Sequence, residues 1–396
     1  MTALSLFQKL DCLPALAALI GTILWALVTS PWRTHHYPST LLLHVGYAAM
    51  RKATSRFSVA QLHLADGERL RYLLPTTDTI YKRFMRRHHL PSKTVDLGEG
   101  ALGHWLGDYK HAERVLIWYH GMCTSSHQVK PGPHGILGGG FALPANDGYF
   151  HFFTQLLADT QARPKPKSLA IFTLTYTLAP QATYPTQIRQ ALSALRYILQ
   201  ETNRSPSQIL LGGDSAGGNL VGAVLAHMTH PHPDLPPLSL SGGPDHKIRG
   251  AIMIAPWTSL DQTILPKDIV ASIELDESKI DSRGDIITPA VGGPWAKAYM
   301  GTGKHDYYTD LSTAPTDWLA SFPVEKVLVC AGEREIILPF IDAFARNLQE
   351  GLGPDKVELC VGEGEGHVAP IYNLALGEWG ETVQGKRVKG WLAEVL

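Results

Sequence analysis

The chain has 396 residues, 44% of them hydrophobic, which is enough for a large buried core. Lys and Arg total 35 and Asp and Glu total 36, so the net charge of −1 gives no electrostatic reason to expect a nucleic-acid partner. Four cysteines, at positions 12, 123, 330 and 360, lack the spacing of a metal site. Cys330 and Cys360 each lie in a strand-like apolar run, which favours buried free thiols over a disulfide and leaves the redox compartment open.

Residues 1–34 form an N-terminal hydrophobic segment. Residues 13–28 hold no charged side chain, and extension through Trp32 brings the stretch near the ~20 residues that a membrane span needs. No small-residue cleavage site follows, so we expect an uncleaved single-pass membrane anchor; the alternative is a hydrophobic helix packed on the globular domain. Lys9 precedes the stretch and Arg33 follows it, so the basic residues do not fix its orientation.

The pattern of the chain changes near residue 92. Residues 35–91 have the pattern of short, basic amphipathic helices, and we expect them to form a helical cap region. In residues 92–396, apolar runs alternate with helical patterns such as 186–200, which predicts an α/β fold with a mostly parallel sheet flanked by helices. The predicted strands are 115–119, 168–176, 209–211, 252–254, 327–329 and 357–359. Residues 257–322 are long for a connection and would fit a second cap element.

A serine lies between glycines in the sequence Gly213-Asp214-Ser215-Ala216-Gly217. An apolar strand precedes it and a helical pattern follows, which is the context of a nucleophile elbow. Such a turn needs small neighbours because chain segments approach each other closely there. The start of the helix directs N–H groups and the positive end of its dipole at developing negative charge. Ser215 is therefore the candidate nucleophile, and the amide of Ala216 a candidate oxyanion donor.

The sequence from Gly213 to Gly218 resembles the nucleophile motif of the hormone-sensitive-lipase-like esterases. Tyr176-x-Leu178-Ala179-Pro180 resembles the segment that precedes this motif in the same family, and the resemblance covers roughly residues 95–375. It implies an α/β-hydrolase fold with a helical cap, and serine esterase activity. The N-terminal hydrophobic segment also resembles the layout of the fungal steryl acetyl hydrolases. That likeness implies short acyl groups on a lipophilic alcohol such as a sterol or terpenoid, and a place in the endoplasmic reticulum membrane.

The family's oxyanion loop, His-Gly-Gly-Gly, is interrupted here. His120-Gly121 follows the predicted strand 115–119, but residues 122–138 intervene before Gly139, Gly140 and a phenylalanine complete the pattern. The resemblance implies that Gly139 and Gly140 donate their amides to the oxyanion. Residues 122–138 are either a genuine insertion or a gene-model artefact such as a translated intron. The clean resumption of the motif favours the artefact.

The nucleophile needs a base, and the base needs a carboxylate to orient it. In α/β-hydrolases the chain order is serine, acid, histidine. His367 follows the last predicted strand, in a glycine-flanked turn, and is the candidate base. Glu335 follows the strand 327–329 and falls on the acid position that the resemblance implies, where the family commonly has Asp. Glu333 is the rival for this role, and Asp342 is a more distant one.

The expected reaction is acyl transfer from a small lipophilic ester to water, through an acyl-enzyme, without metal or cofactor. A non-catalytic small-molecule-binding protein on the same fold is the alternative from another class, as in the plant hormone receptors of this family. Peptidase or amidase action would use the same three residues, so the sequence does not separate it from ester hydrolysis.

Overall fold

The computed structural model describes residues 5–62, 75–121, 140–143, 145–164, 167–238, 246–261 and 280–396. Two of the predicted features fall wholly or partly outside these residues: the interruption 122–138, with Gly139, and part of the second cap element, 262–279. Residues 63–74 of the predicted 35–91 cap region also lie outside them. Both cap assignments and the stated domain boundaries therefore stay predictions.

An eight-stranded sheet forms the centre of the described residues. Its strands are β1 Lys93–Gly98, β2 Ala101–Leu106, β3 Arg114–Tyr119, β4 Leu169–Thr175, β5 Ile209–Asp214, β6 Gly250–Ile254, β7 Val327–Gly332 and β8 Val357–Gly362. The spatial order is β1-β2-β4-β3-β5-β6-β7-β8. The pairs β1/β2 and β2/β4 are antiparallel, and all later pairs are parallel. The predicted mostly parallel sheet is therefore confirmed.

Most of the strands found by sequence are buried, with β8 as the half-buried exception. Strands β4 to β7 are buried along their whole length, which explains their continuous apolar runs. The antiparallel strands β1 and β2 were not predicted. The side chains of β1 are half-buried or exposed, and β2 contains Gly103, which packs so closely on Phe172 that an added Cβ would lie 1.9 Å from its ring. Cys330 and Cys360 are register partners on β7 and β8, and both thiols are free.

Helices flank the sheet. They are α1 Leu6–Thr29, α2 Leu41–Arg56, α3 Val59–Leu62, α4 Thr77–Arg87, α5 Asp147–Gln161, α6 Thr186–Gln200, α7 Ala216–Thr229, α8 Pro289–Met300, α9 Thr316–Ala320, α10 Leu338–Leu352, α11 Ala369–Ala375 and α12 Val383–Val395. The periodicity of residues 186–200 predicted α6 with its observed bounds. Turns after the carboxyl ends of β5, β7 and β8 carry Ser215, Glu335 and His367.

The N-terminal helices lie in different places. Helix α4 packs against β2 and α5, where the hydroxyl of Tyr81 donates to the carbonyl of Trp105 at 2.8 Å. Helix α2 lies beside the loops at the carboxyl end of the sheet, and the Tyr47 hydroxyl donates to Asn373 on α11 at 2.8 Å. With the following 3₁₀ turn, α1 covers Leu6–Trp32 and is long and apolar enough to cross a membrane by length and composition.

Candidate active site

The turn between β5 and α7 holds Ser215 in a strained conformation. Its φ of 50° and ψ of −120° lie in a region that non-glycine residues rarely adopt. Two backbone hydrogen bonds fix it: the Ser215 amide donates to the carbonyl of Ile254, and the Ser215 carbonyl accepts from the amide of Trp257, both at 2.9 Å. The serine side chain is thereby held at the carboxyl edge of the sheet, as a nucleophile elbow requires.

The residues flanking Ser215 at positions 213 and 217 are glycines because backbone segments pack closely there. A Cβ on Gly217 would lie 1.7 Å from the carbonyl oxygen of Tyr119, at the end of β3. A Cβ on Gly213 would lie 2.3 Å from the carbonyl oxygen of Gly217. Both contacts are far shorter than any real side chain makes, so the sequence pattern around Ser215 follows from steric need.

Three side chains from three strand ends meet at this turn. Nε2 of His367 lies 2.8 Å from Oγ of Ser215, and Nδ1 of His367 lies 2.6 Å from a carboxylate oxygen of Glu335. The other oxygen of Glu335 accepts the amide of Gly332 at 2.9 Å, which fixes the carboxylate. All three side chains are buried. The arrangement gives the imidazole one protonated nitrogen toward the carboxylate and one lone pair toward the hydroxyl.

The rival acids are occupied elsewhere. The carboxylate of Glu333 accepts the amide of Gly364 at 2.8 Å and is exposed. Asp342 lies on α10 and pairs with Arg346, one turn further along, at 2.7 Å. The structure thus brings Glu335, and neither rival, into hydrogen-bond contact with the His367 ring.

Burial and neighbouring charges shift the pKa of His367. Burial lowers the pKa of His367, but the nearby carboxylates of Glu335, Asp285 and Asp214 outweigh that effect and leave the pKa raised. A raised pKa strengthens the imidazole as a proton acceptor, and the neutral form that accepts the proton dominates only above that pKa.

A fourth buried residue, Asp285, was missed by sequence reasoning. One of its carboxylate oxygens accepts the amides of His367 at 3.1 Å and Ile286 at 2.6 Å, and the other accepts the amide of Ile336 at 2.8 Å. It therefore links the backbone after Glu335 to the backbone of His367, and burial raises the pKa of its carboxyl. It lies 51 residues before Ile336 and 82 residues before His367, in the predicted second cap element, so no local pattern indicates this role.

The opposite side of Ser215 holds the candidate oxyanion donors. Ala216 is the first residue of α7, where backbone amides have no partner within the helix. Gly140, with φ of 52°, lines the pocket beside Ser215, whereas Gly139 lies outside the described residues. The amide of Phe141 donates to the carbonyl of Gly121 at 3.3 Å, so the described residues on either side of the interruption lie next to each other.

Asp214, next to the nucleophile, supports this side of the site. Its carboxylate accepts the amide of Gly121 at 3.2 Å, the indole N–H of Trp118 at 3.0 Å and the hydroxyl of Tyr149 at 2.5 Å. Burial raises the pKa of the Asp214 carboxyl to about 6, and these donors oppose the shift. The buried carboxylate thus ties the start of the oxyanion loop to the nucleophile strand.

An apolar pocket opens beside Ser215 and His367, with about 550 Å³ of empty space including its open mouth. Its large apolar lining residues are Trp257, Ile287, Pro289, Val291, Trp295, Ile336, Ile337 and Tyr372. Trp295 on α8 packs directly on Gly140, where an added Cβ would lie 2.3 Å from the indole. Among the residues that the structure describes, no three His, Cys, Asp or Glu side chains are grouped to hold a metal ion.

Known proteins share this fold and parts of this sequence. A profile of the α/β-hydrolase fold family matches residues 137–371. The chain belongs to the α/β-hydrolase fold family. This α/β-hydrolase is similar in structure, with a TM-score of 0.55 and 20% identity, to carboxyl esterase 2 from Tuber melanosporum, over 77% of this chain and 88% of that one. An esterase from the bacterial hormone-sensitive lipase family gives a TM-score of 0.54 at 18% identity, over 85% of this chain and 97% of that one.

Curated relatives match the α/β-hydrolase over a shorter stretch. Neutral cholesterol ester hydrolase 1 of Rattus norvegicus is 32% identical over 100 residues, 24% of this chain and 23% of the relative. Arylacetamide deacetylase of Bos taurus is 34% identical over 94 residues, 22% of each chain, and Lipase 2 of Moraxella sp. (strain TA144) is 32% identical over 97 residues, 24% of this chain and 21% of the relative. These matches span about a quarter of the relatives' length. The predicted fold and the resemblance to hormone-sensitive-lipase-like esterases are confirmed.

Proposed function

We propose that this α/β-hydrolase is a serine esterase that cleaves carboxylic esters through an acyl-enzyme. The observation that carries the proposal is the hydrogen-bonded chain from Ser215 through His367 to Glu335, at the bottom of an apolar pocket. A nucleophile, a base within hydrogen-bond reach and a carboxylate that orients the base are the parts that acyl transfer needs.

In the first half-reaction Ser215 attacks the ester carbonyl carbon while His367 accepts the hydroxyl proton. Glu335 stabilises the imidazolium that forms, and the amides of Ala216, Gly139 and Gly140 hold the negative oxygen. The tetrahedral intermediate collapses as His367 gives its proton to the departing alkoxide, which leaves as the alcohol. In the second half-reaction His367 deprotonates a water that attacks the acyl-enzyme, and the acid leaves as Ser215 recovers its proton.

We assign the substrate class as a short acyl group, such as acetyl, on a bulky lipophilic alcohol of sterol or terpenoid type. Two observations support this class. The described pocket lining is mostly apolar, and the indoles of Trp257 and Trp295 crowd the space beside Ser215 and Gly140. Among the similar proteins are a neutral cholesterol ester hydrolase and an arylacetamide deacetylase.

The proposal includes attachment to a membrane, with the endoplasmic reticulum as the expected location. The apolar helix α1 supports attachment, since a membrane-bound enzyme would meet lipophilic esters where they dissolve.

Hydrolysis of p-nitrophenyl acetate by the full chain tests the activity. We expect Ser215→Ala to lower kcat/KM by about 10⁴-fold or more, because removal of the nucleophile disables the whole set. Ser193→Ala, on α6 and away from the pocket, is the matched control and should keep the wild-type rate. Equal rates for wild type and Ser215→Ala would refute the esterase and favour the non-catalytic binding protein.

A second assay tests the substrate class. Wild-type protein is given p-nitrophenyl esters of two, four, eight and twelve carbons, then a steryl acetate and an acetylated amine of matched size. We expect kcat/KM to fall with acyl length and the ester to be cleaved faster than the amide. Preference for long acyl chains would contradict the short-acyl assignment, and faster amide cleavage would favour an amidase.

A further inference from the structure

Helix α1 presents its large apolar side chains outward and its small or polar ones to the protein. The half-buried or buried positions follow a helical spacing of three and four: 8, 11, 12, 15, 18, 19, 22, 23, 26 and 29. Most of these residues are Ala, Thr, Gln, Asp or Cys. The exposed positions include Phe7, Leu13, Leu24, Trp25 and Val28. A helix on a water-soluble domain has the opposite arrangement, with its bulky apolar residues inside.

Polar contacts hold the inward face of α1 against α2 and α3. Both oxygens of Asp11 accept from the guanidinium of Arg56, at the end of α2, at 2.5 and 2.7 Å. The side-chain amide of Gln61 donates to the carbonyl of Gln8 at 3.0 Å and to Asp11 at 3.1 Å. Ala15 and Ala26, on the inward face of α1, are buried, and their small side chains allow α1 to pack closely along α2.

Helix α2 is in turn fixed to the catalytic loops. The guanidinium of Arg51 donates to the carbonyls of Asp285 at 2.5 Å and Arg283 at 3.0 Å. Gly46 packs so closely on Leu376 that an added Cβ would lie 2.6 Å from it. Both α2 and α3 contact α8, whose residues line the pocket. One helical layer therefore separates α1 from the wall of the substrate pocket.

These contacts do not fit a helix that crosses a bilayer. With 24 residues, α1 is about 36 Å long, enough to span the hydrocarbon core. A span with α2 alongside would draw Arg51, Lys52, Arg56 and the loops below them into hydrocarbon, where charged groups are strongly disfavoured. The packed arrangement lets only the outward face of α1 enter the lipid.

The charge pattern of that outward face matches a lipid surface. From residue 12 to Trp32 the helix and its 3₁₀ extension hold no charged side chain, and the one nearby acid, Asp11, is turned inward onto Arg56. Cations, Lys9 and Arg33, stand at the two ends of the apolar stretch. Cations at phosphate level on either side of an apolar strip are complementary to a bilayer surface.

We propose that α1 lies in the plane of the membrane, with its outward face in the acyl region and the whole chain on one side of the bilayer. This geometry replaces the single pass expected from sequence. It deepens the membrane attachment in the proposed function, and it does not depend on whether the protein hydrolyses esters.

Protease accessibility in sealed microsomes tests the geometry. The full chain is expressed with one epitope tag before Met1 and another after Leu396. We expect both tags to be digested together without detergent, or both to be protected, because the two ends lie on the same side. Protection of one tag alone would show that α1 spans the bilayer and would overturn the proposal.

Flotation with phosphatidylcholine vesicles tests whether the outward face of α1 binds lipid. The triple variant L13N/L24N/V28N should lose at least 10-fold in the vesicle-bound fraction, because it places amides on the outward face. The matched control, L90N/V361N/V383N, changes exposed apolar residues elsewhere and should float as wild type does. Equal flotation of the two triple variants would overturn the proposal, as would a soluble dimer of the wild type in which α1 covers its partner.

Hydrolysis of p-nitrophenyl acetate, measured on every variant, separates this proposal from the esterase proposal. Flotation with no hydrolysis in the wild type would refute only the esterase. Hydrolysis with no flotation would refute only the in-plane attachment. The soluble substrate needs no lipid, so L13N/L24N/V28N should keep its wild-type rate.

Discussion

Deletion of residues 122–138 is expected to leave a folded and faster enzyme. In the shortened chain Gly121 is followed directly by Gly139, Gly140 and Phe141. The amide of Phe141 already donates to the carbonyl of Gly121 at 3.3 Å, and in the deletion variant this contact becomes the first-to-fourth hydrogen bond of a β-turn. Gly140, with φ of 52°, then occupies the third position, where a positive φ favours glycine.

The expected increase in kcat/KM follows from the entropy cost of loop closure. Nineteen residues separate Gly121 from Phe141 now, and two would separate them after the deletion. The cost of closing a loop scales with the logarithm of its length, so the shorter connection saves about 2 kcal/mol. If that cost now opposes formation of the oxyanion turn, kcat/KM should rise by about 30-fold, which is less than the roughly 10²–10³-fold that one oxyanion donor contributes.

The assay compares full-length and shortened chains in p-nitrophenyl acetate hydrolysis and in urea unfolding. The same deletion in the Ser215→Ala background is the control, and it should be inactive, because any gain must come from the same nucleophile. A shortened protein that unfolds at the wild-type urea concentration or above, yet hydrolyses the ester no faster, would refute the argument that the interruption opposes the oxyanion turn.

Three further changes probe the acid, the base and the pocket. Glu335→Gln should lower kcat by about 10⁴-fold, as loss of the orienting carboxylate does in serine hydrolases, while Glu333→Gln stays near wild type; similar losses in both would refute the assignment of the acid. In wild type, the raised pKa of His367 sets the acid limb of the kcat/KM profile, since only the neutral ring accepts the proton, so activity falls as pH drops through that pKa. Asp285→Asn removes one carboxylate that raises this pKa and should move the limb to lower pH, with Asp285→Glu restoring it in part; an unmoved limb would contradict the electrostatic role. Trp295→Ala should raise the rate on an octanoyl ester relative to the acetyl ester by about 10-fold, and an unchanged ratio would place the acyl group elsewhere.

The sequence predicted what local pattern determines. Continuous apolar runs indicated the buried parallel strands, and the glycines beside Ser215 marked a turn in which backbones touch. The position of His367 followed from chain order in this fold. Glu335 needed the family resemblance, since its distance from Glu333 along the chain is only two residues and composition does not separate them.

The rest depends on contacts between distant segments. Asp285 reaches the catalytic loops through backbone amides, which any residue type except proline would supply, so the sequence does not mark these partners. Strand β1 is half-exposed and carries no apolar run. The hydropathy of α1 indicated lipid, but its orientation depends on the pairing of Asp11 with Arg56, which lie 45 residues apart.

The contact between Trp295 and Gly140 joins the pocket wall, which selects the substrate, to the oxyanion loop, which takes part in the reaction. The reacting groups come from strand ends, whereas much of the pocket wall comes from the long segment between β6 and β7, which includes α8. Most wall residues could therefore change during evolution and alter the accepted substrate without disturbing the chemistry. Trp295 is different, because its indole supports a glycine of the oxyanion loop. Substitution of Trp295 during evolution would therefore broaden the substrate range and also lower the catalytic rate. Substitutions that change the substrate range should arise first at Val291 or Ile287.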